Sequence, residues 1–255
     1  VPRKRYNLVV IEDNADVRNY LCDMLRNDYN ITAAEDCMEG YEVVTKEMPD
    51  LIISDIMTPR MNGIEFCQKV KSNIITSHIP VILLTARVTL SQIKEGYDSL
   101  ADDYIMKPFN PELLKVRIAN LLANRQKLRE LYAQKIVTGN FPAETVSTED
   151  KFMAKVLDYI HSNLDNTELS IDKFSDDIGM SRVQLYRKIK AVTGSSPSKL
   201  ILDIRLKKAA ELLSTTDDTV TEVSYKCGFN EVSYFGKCFK ANYNVSPSEY
   251  ARNYR

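Results

Sequence analysis

Between Tyr6 and about Arg125, five short apolar runs alternate with amphipathic stretches, and this rhythm narrows the fold more than any other feature of the chain. The runs are Leu8–Ile11, Ile31–Ala34, Leu51–Ile53, Val81–Leu84 and Asp103–Met106. Strands alternating with helices build βα units around a parallel sheet. The expected fold of this half is therefore a doubly wound, five-stranded parallel α/β domain.

In such a sheet, functional groups gather beyond the carboxyl ends of the strands, where the loops converge on one crevice. The residues expected there are Glu12, Asp13, Asp55, Thr85 and Lys107. Carboxylates crowded together raise one another's pKa unless something positive binds among them. Mg²⁺ suits this set, because it takes one or two carboxylates together with phosphate oxygens and water. A carboxylate beside such an ion can attack a phosphoryl group in line and form an acyl phosphate. Asp55 has that position, with Lys107 as the cation and Thr85 as a hydroxyl donor for the phosphoryl oxygens.

From Lys151 onward the pattern is helical throughout, with segments expected at about 151–163, 170–177, 181–190, 197–213, 219–226, 231–241 and 247–253. An internal repeat organises them. Phe174-Ser…Gly179 recurs as Val223-Ser…Gly228, and Leu185-Tyr-Arg…Ile189-Lys…Ser196-Pro recurs as Phe235-Gly-Lys…Phe239-Lys…Ser246-Pro. Each copy reads as a short helix, a Gly-containing turn and a second helix, which is the helix-turn-helix unit. The connecting helix, at ~1.5 Å per residue over about 17 residues, is roughly 25 Å long. It could hold two recognition helices near one DNA turn apart, ~34 Å.

Between the halves, Thr138-Gly-Asn-Phe-Pro-Ala-Glu-Thr145 has turn chemistry, and Ser147 with Asp150 resembles a capped helix start. The expected division is 1–126, a linker at 127–150, and an all-α domain at 151–255. Cutting at Asp150 splits a net charge of −1 into −4 for the first part and +3 for the second. The mildly basic second part is compatible with a polyanion partner. The five cysteines form no CxxC pair, and they are expected to be reduced and mostly buried. No apolar run approaches the ~18 residues that span a bilayer, so a cytoplasmic location is expected. The start lacks Met, which suggests an excised piece of a longer polypeptide.

The segments Ile11-Glu-Asp-Asn, Ser54-Asp-Ile-Met-Thr-Pro, Leu84-Thr-Ala and Ala101-Asp-Asp-Tyr-Ile-Met-Lys-Pro-Phe stand in order within residues 6–126. This stretch resembles the flavodoxin-like receiver domain of response regulators. The resemblance implies that Asp55 accepts a phosphoryl group from a kinase phosphohistidine, with Mg²⁺ held by Asp13, Asp55 and the Met57 carbonyl. The family usually has two aspartates where this chain has Glu12-Asp13, so Glu12 is expected to reach the metal through water. Thr85 and Tyr104 become the switch pair, biasing the surface of the fourth receiver helix, fifth strand and fifth helix, which is also the expected dimerisation face. Asp102 and Arg117 are candidate contacts on it. Met57 and Arg87 flank the water route to the acyl phosphate and are expected to set its lifetime.

Residues 151–255 resemble the AraC/XylS-type DNA-binding domain through Leu185-Tyr-Arg-Lys-Ile-Lys, Thr193-Gly-Ser-Ser-Pro, Arg205-Leu-Lys-Lys-Ala-Ala-Glu-Leu-Leu, Cys227-Gly-Phe and Ser233-Tyr-Phe…Phe239-Lys…Ser246-Pro-Ser-Glu-Tyr. Leu185, Ile189, Phe235 and Phe239 fall at core spacing. Ser181 with Gln184 and Thr219 with Glu222 read as capping boxes, and Glu231 as a cap for the second recognition helix. The candidate base readers are Arg182, Val183, Tyr186 and Arg187 in the first recognition helix and Val232, Ser233, Gly236 and Lys237 in the second. Lys188, Lys190, Lys199 and Lys240 are candidates for phosphate contacts.

Together these readings describe a phosphorylation-dependent, sequence-specific transcription regulator of a two-component system. Its expected partners are double-stranded DNA, a second copy of itself when phosphorylated, RNA polymerase, and a histidine kinase phosphodonor. The two domains together also look like the C-terminal part of a hybrid regulator with its kinase upstream on the same polypeptide. Two alternatives are a Mg²⁺-dependent phosphatase with Asp55 as nucleophile, and a constitutive DNA binder whose receiver is structural. The phosphatase needs a general acid two residues past Asp55, where Met57 stands.

Overall fold

The computed structural model describes residues 5–86, 100–138 and 147–254. The chain divides into two compact units, residues 1–128 and 129–255.

The first unit is built on strands β1 (Asn7–Ile11), β2 (Asn30–Ala34), β3 (Leu51–Asp55), β4 (Val81–Thr85) and β5 (Asp103–Met106). They form one parallel sheet in the order β2-β1-β3-β4-β5, so the strand order reverses between β1 and β3. Because successive side chains point to opposite faces, each central strand feeds two cores. Val9, Ile11, Ile52, Val81 and Leu83 pack with Val44, Phe66, Cys67 and Val70 from helices α2 (Cys37–Glu47) and α3 (Gly63–Ser72). Leu8, Val10, Leu51, Ile53, Ile82 and Leu84 pack on the other face with Leu21 and Leu25 of α1 (Ala15–Leu25) and with Leu114, Ile118 and Leu122. Every residue of β3 and β4 is buried, which is why Leu51–Ile53 and Val81–Leu84 read as unbroken apolar runs before the polar residues at the strand ends. Residues 87–99 lie outside the described residues; they include Arg87 and the stretch expected to form the fourth receiver helix.

A helix runs from Pro111 to Thr138, and 129–138 group with the second unit. In that segment the Arg129 Nε donates to the Ala191 carbonyl at 2.7 Å, and the Tyr132 hydroxyl donates to Asp150 at 2.6 Å. The stretch expected as a linker, 127–150, thus contains helix at 127–138 and again from Thr148.

The described remainder of the second unit is helical: Thr148–Ser162, Ile171–Ile178, Arg182–Thr193, Pro197–Thr215, Val220–Lys226, Val232–Tyr243 and Pro247–Tyr254. Most of these helices begin on a hydroxyl. Ser147, Ser181 and Thr219 close reciprocal capping boxes with Asp150, Gln184 and Glu222, and Ser170 and Ser196 accept from the third residue on. Glu231 stands at the start of Val232–Tyr243 but makes no capping hydrogen bond through its side chain. The expected cap is therefore absent; glutamate ranks outside the short Ser, Thr, Asp and Asn side chains that fit this geometry.

Gly179 and Gly228 occupy equivalent turns in the two repeats, both with left-handed backbone, φ +82° and +73°. At Gly228 the packing adds a second demand, since a Cβ would stand 2.4 Å from the Leu164 carbonyl oxygen. The first copy buries Phe174, Leu185 and Ile189 completely. The second buries an aromatic cluster in which Phe239 meets Phe235, Tyr243 and Tyr250 at centroid distances of 5.5, 4.6 and 5.3 Å.

Candidate functional site

Two groups of candidate residues stand in the structure, one in each unit. In the first, β1 and β3 end on either side of the reversal in strand order, where parallel α/β sheets open a crevice. Glu12 follows β1 and is almost wholly buried at 1% exposure; Asp55 ends β3 at 6%, while the neighbouring Asp13 is exposed. Oxygens of these three carboxylates lie within 4.8 Å of one another. Lys107, which follows β5, donates from Nζ to Glu12 Oε2 at 2.7 Å and to Asp55 Oδ2 at 2.9 Å. The other Asp55 oxygen, Oδ1, accepts from the Met57 amide at 3.3 Å.

The electrostatics of this group are strained in the way clustered acids dictate. Burial, reinforced by the negative charge of Asp55, pushes the Glu12 carboxyl up despite the Lys107 hydrogen bond. Burial opposes the charge on Lys107, but its bonds to Asp55 and Glu12 outweigh that and hold the ammonium above its ordinary value. Three carboxylates thus face one ammonium, a donor set of hard oxygens with surplus negative charge. Thr85 closes β4, buried, with its carbonyl accepting from the Lys107 amide at 2.7 Å. Tyr104 is half-buried in β5 and packs against the same core as Val9 and Ile11. The structure therefore brings Glu12, Asp13, Asp55 and Lys107 together and sets Thr85 and Tyr104 on the adjoining strands.

Two supporting residues escaped the sequence reading. Arg18 donates to the carbonyls of Glu12 and Asp13 at 2.7 and 3.2 Å and pairs with Glu35, pinning the loop that carries both acids. Gly63 begins α3 against the Asp55 backbone: its amide donates to the Ile56 carbonyl at 2.9 Å, and a Cβ there would stand 2.4 Å from the Asp55 carbonyl oxygen. Met57 is 70% exposed beside the crevice. The Asp102 carboxylate accepts from Lys71 at 2.6 Å and from the Val81 amide at 2.7 Å, within its own unit. Arg117 pairs with Asp103 at 3.5 Å. Both proposed dimer contacts are thus engaged internally.

In the second unit, the helix Arg182–Thr193 buries Leu185 and Ile189, which turns Arg182, Val183, Tyr186 and Arg187 outward. Arg182 also pairs with Asp172 at 3.3 Å in an exposed contact. Lys190 is exposed and reaches the Tyr186 hydroxyl at 3.5 Å. On Val232–Tyr243, Ser233 and Lys237 are exposed, while Val232 and Gly236 are half-buried. Tyr234, 55% exposed on the same helix, was not among the candidates; burial of its neighbour Phe235 was the available signal. Lys240 is exposed, and Lys199 is tied to Asp203 at 2.6 Å.

Lys188 overturns its assignment as a phosphate contact. Three residues after Leu185 and next to Ile189, it lies on the core face and has no exposed surface. Its ammonium lies 3.4 Å from Glu149 and 5.6 Å from the centroid of the Phe152 ring, so a carboxylate and an aromatic face take the place of water. Replacing Lys188 by Met is expected to leave the salt dependence of DNA binding unchanged, whereas Lys190→Met lowers its slope by about one unit. Binding titrations across a salt series check this. A reduced slope in Lys188→Met would place its charge on the DNA after all.

The buried cysteines support no reactive site. Burial pushes the Cys227 thiol up to about 11, and all five cysteines are free thiols. Among the described residues, no helix is long and apolar enough to cross a membrane.

The model of the response regulator receiver domain matches residues 8–119, and a helix-turn-helix domain model matches 174–253. Histidine kinase P4 of Formosa agariphila is 38% identical over 99% of this chain, which spans 18% of that relative's length. Response regulator MprA of Mycobacterium leprae is 37% identical over 45% of this chain and 50% of its own. Among solved structures, the signal receiver domain of a signal transduction histidine kinase from Syntrophus aciditrophicus aligns at 28% identity and a TM-score of 0.45, covering 47% of this chain and 91% of that one. A single chain thus joins a response regulator receiver domain, over residues 8–119, to an AraC-type helix-turn-helix domain, over residues 174–253.

Proposed function

We propose that Asp55 accepts a phosphoryl group from a histidine kinase and that its phosphorylation governs sequence-specific DNA binding by the paired helix-turn-helices. The observation that carries the proposal is the Lys107 ammonium held between Glu12 and Asp55 beside Asp13, at the reversal of strand order. In the transfer, an Asp55 carboxylate oxygen attacks phosphorus, the P–N bond of the donor's phosphohistidine breaks, and the imidazole leaves and takes up a proton from solvent. Lys107 exchanges its carboxylate contacts for the new phosphoryl oxygens. The Thr85 hydroxyl then turns toward them, and Tyr104 follows into the space it leaves. Glu12, Asp13 and Asp55 fit Mg²⁺, with the Met57 carbonyl as a further oxygen, and the ion would neutralise charge on the transferred group.

The kinase likeness over nearly the whole chain supports a donor carried on the same longer polypeptide. We place the activity in the cytoplasm, with dimerisation of the phosphorylated receiver and contact with RNA polymerase as its downstream steps. Domain bounds at 1–126 and 151–255 go with this reading. Turnover as a phosphatase is disfavoured because Met57 occupies the position of the general acid.

The test is phosphoryl transfer from a labelled kinase domain or from phosphoramidate. Wild type is expected to take up one phosphoryl group per chain, and Asp55→Asn none. Undiminished uptake by Asp55→Asn overturns the assignment. DNA affinity that beryllofluoride leaves unchanged in the wild type would favour a constitutive binder.

A further inference from the structure

A cavity of about 470 Å³ opens in the second unit, lined by Leu169, Ile201, Arg205, Phe229, Glu231 and Tyr234 among others. Its volume lies within the ~300–1,000 Å³ range of small-molecule sites, and its walls combine apolar side chains with polar ones, among them Thr167, Ser198 and Asn230. Arg205 is the unusual member. It projects from the Pro197–Thr215 helix, donates one Nη to the Asn166 carbonyl at 2.6 Å, and keeps its Nε buried without a hydrogen-bond partner. Its guanidinium also lies against the glycine turn, within 2.7 Å of where a Gly228 Cβ would be. No carboxylate pairs with Arg205 among the described residues. Burial accordingly holds the guanidinium below its ordinary value. A cation in partly apolar surroundings without a counter-charge is costly, and an anion that reaches it from the cavity relieves that cost.

The far wall gives the cavity a consequence for DNA. Glu231 and Tyr234 stand at the start of the second recognition helix, and Phe229 lies in the turn before it. That helix lacks a side-chain cap, so its first turn depends on its surroundings more than the other helix starts of this unit do.

We propose that the cavity binds a small amphipathic carboxylate, with its head on Arg205 and its apolar body against Leu169, Ile201 and Phe229, and that this ligand acts as an effector on the second recognition helix. Only the effector role rests on the DNA-binding function proposed above. Pairing of the carboxylate with Arg205 is charge-assisted and adds geometric selectivity. Glu231 sets the competing demand, since a cationic ligand would find its partner there.

The experiment titrates the 255-residue chain, without DNA, with octanoate and 4-phenylbutanoate and with the primary amide and amine of each, followed by calorimetry and by NMR shifts of cavity residues. At least one carboxylate is expected to bind saturably, with its amide and amine weaker by about tenfold or more, the scale of one charge-assisted hydrogen bond. Arg205→Met is expected to erase the preference for the carboxylate. Ser198→Phe, at an exposed lining position, is expected to weaken all these ligands while leaving Arg205 in place, and it decides the question if Arg205→Met fails to fold. Absence of saturable binding by both carboxylates, equal binding of acid and amide, preference for the amine, or wild-type affinity in Ser198→Phe would each overturn the site. Binding of the carboxylate must also change DNA affinity, and DNA must change carboxylate affinity by the same factor. A ligand that binds without either change removes the effector role and leaves the site. That outcome is distinct from failure of DNA binding itself, which ligand-free protein reports.

Discussion

Substituting Gly63 by alanine is expected to slow phosphoryl uptake at Asp55 by about a hundredfold or more, the loss that a misplacement of roughly 1 Å at a reacting group produces. The new Cβ would stand 2.4 Å from the Asp55 carbonyl oxygen and 2.8 Å from the Ile56 Cα. Both are backbone atoms, so no rotamer change relieves the overlap. Yielding by α3 is resisted at its start by the capping box of Asn62 and Glu65, while β3 is buried along its length. The loop after β3 has to give, and it carries the Asp55 carboxylate away from the Lys107 ammonium. Uptake from phosphoramidate, followed beside circular dichroism to verify the fold, checks the effect. A wild-type rate in a folded variant would mean that the placement of Asp55 is independent of α3. Overpacking of this kind also costs about 1–3 kcal/mol of stability.

The second large effect belongs to the other unit. Phe239→Ala is expected to cost about 3–5 kcal/mol, as deletion of a fully buried aromatic ring does. Phe239 has no exposed surface and touches three other rings, so the cavity it leaves cannot collapse without disturbing Phe235, Tyr243 and Tyr250 together. Domains of this size are stable by only ~5–15 kcal/mol, so a large part of the second repeat's margin disappears. Denaturant unfolding followed by tyrosine fluorescence is the measurement. A shift corresponding to less than about 1 kcal/mol would show that the aromatic cluster contributes little beyond volume.

The receiver half was legible because its determinants are periodic and sequential. Central strands buried on both faces are apolar over most of their length, and the acids and Lys107 stand at or just past the ends of those runs. The helices of the second half announced their starts through Ser147, Ser181 and Thr219, whose bonds to residues three positions on are local. What was hidden depends on packing partners distant in sequence. Lys188 looks solvent-facing until Glu149 and Phe152, nearly forty residues earlier, are folded against it. Gly63 looks like an ordinary helix-start residue until the Asp55 backbone is brought beneath it. Arg205 was visible only as part of a motif, since its uncompensated charge is defined by the neighbours it lacks. Glu231 was misread for a different reason, as position alone does not guarantee that a longer side chain can bend back to the helix amides.

The tandem repeat in the second unit has one further consequence, for the genome. Two helix-turn-helices with different outward residues, Arg182, Val183, Tyr186 and Arg187 in one and Ser233, Tyr234 and Lys237 in the other, follow one another in a single chain. A single molecule is therefore asymmetric, and on the function proposed above the stretch of DNA it reads has no dyad but a head and a tail. Such an element points along the chromosome. Inverting it presents the same bases while exchanging which helix-turn-helix lies toward which flank, so orientation at a promoter becomes information in its own right.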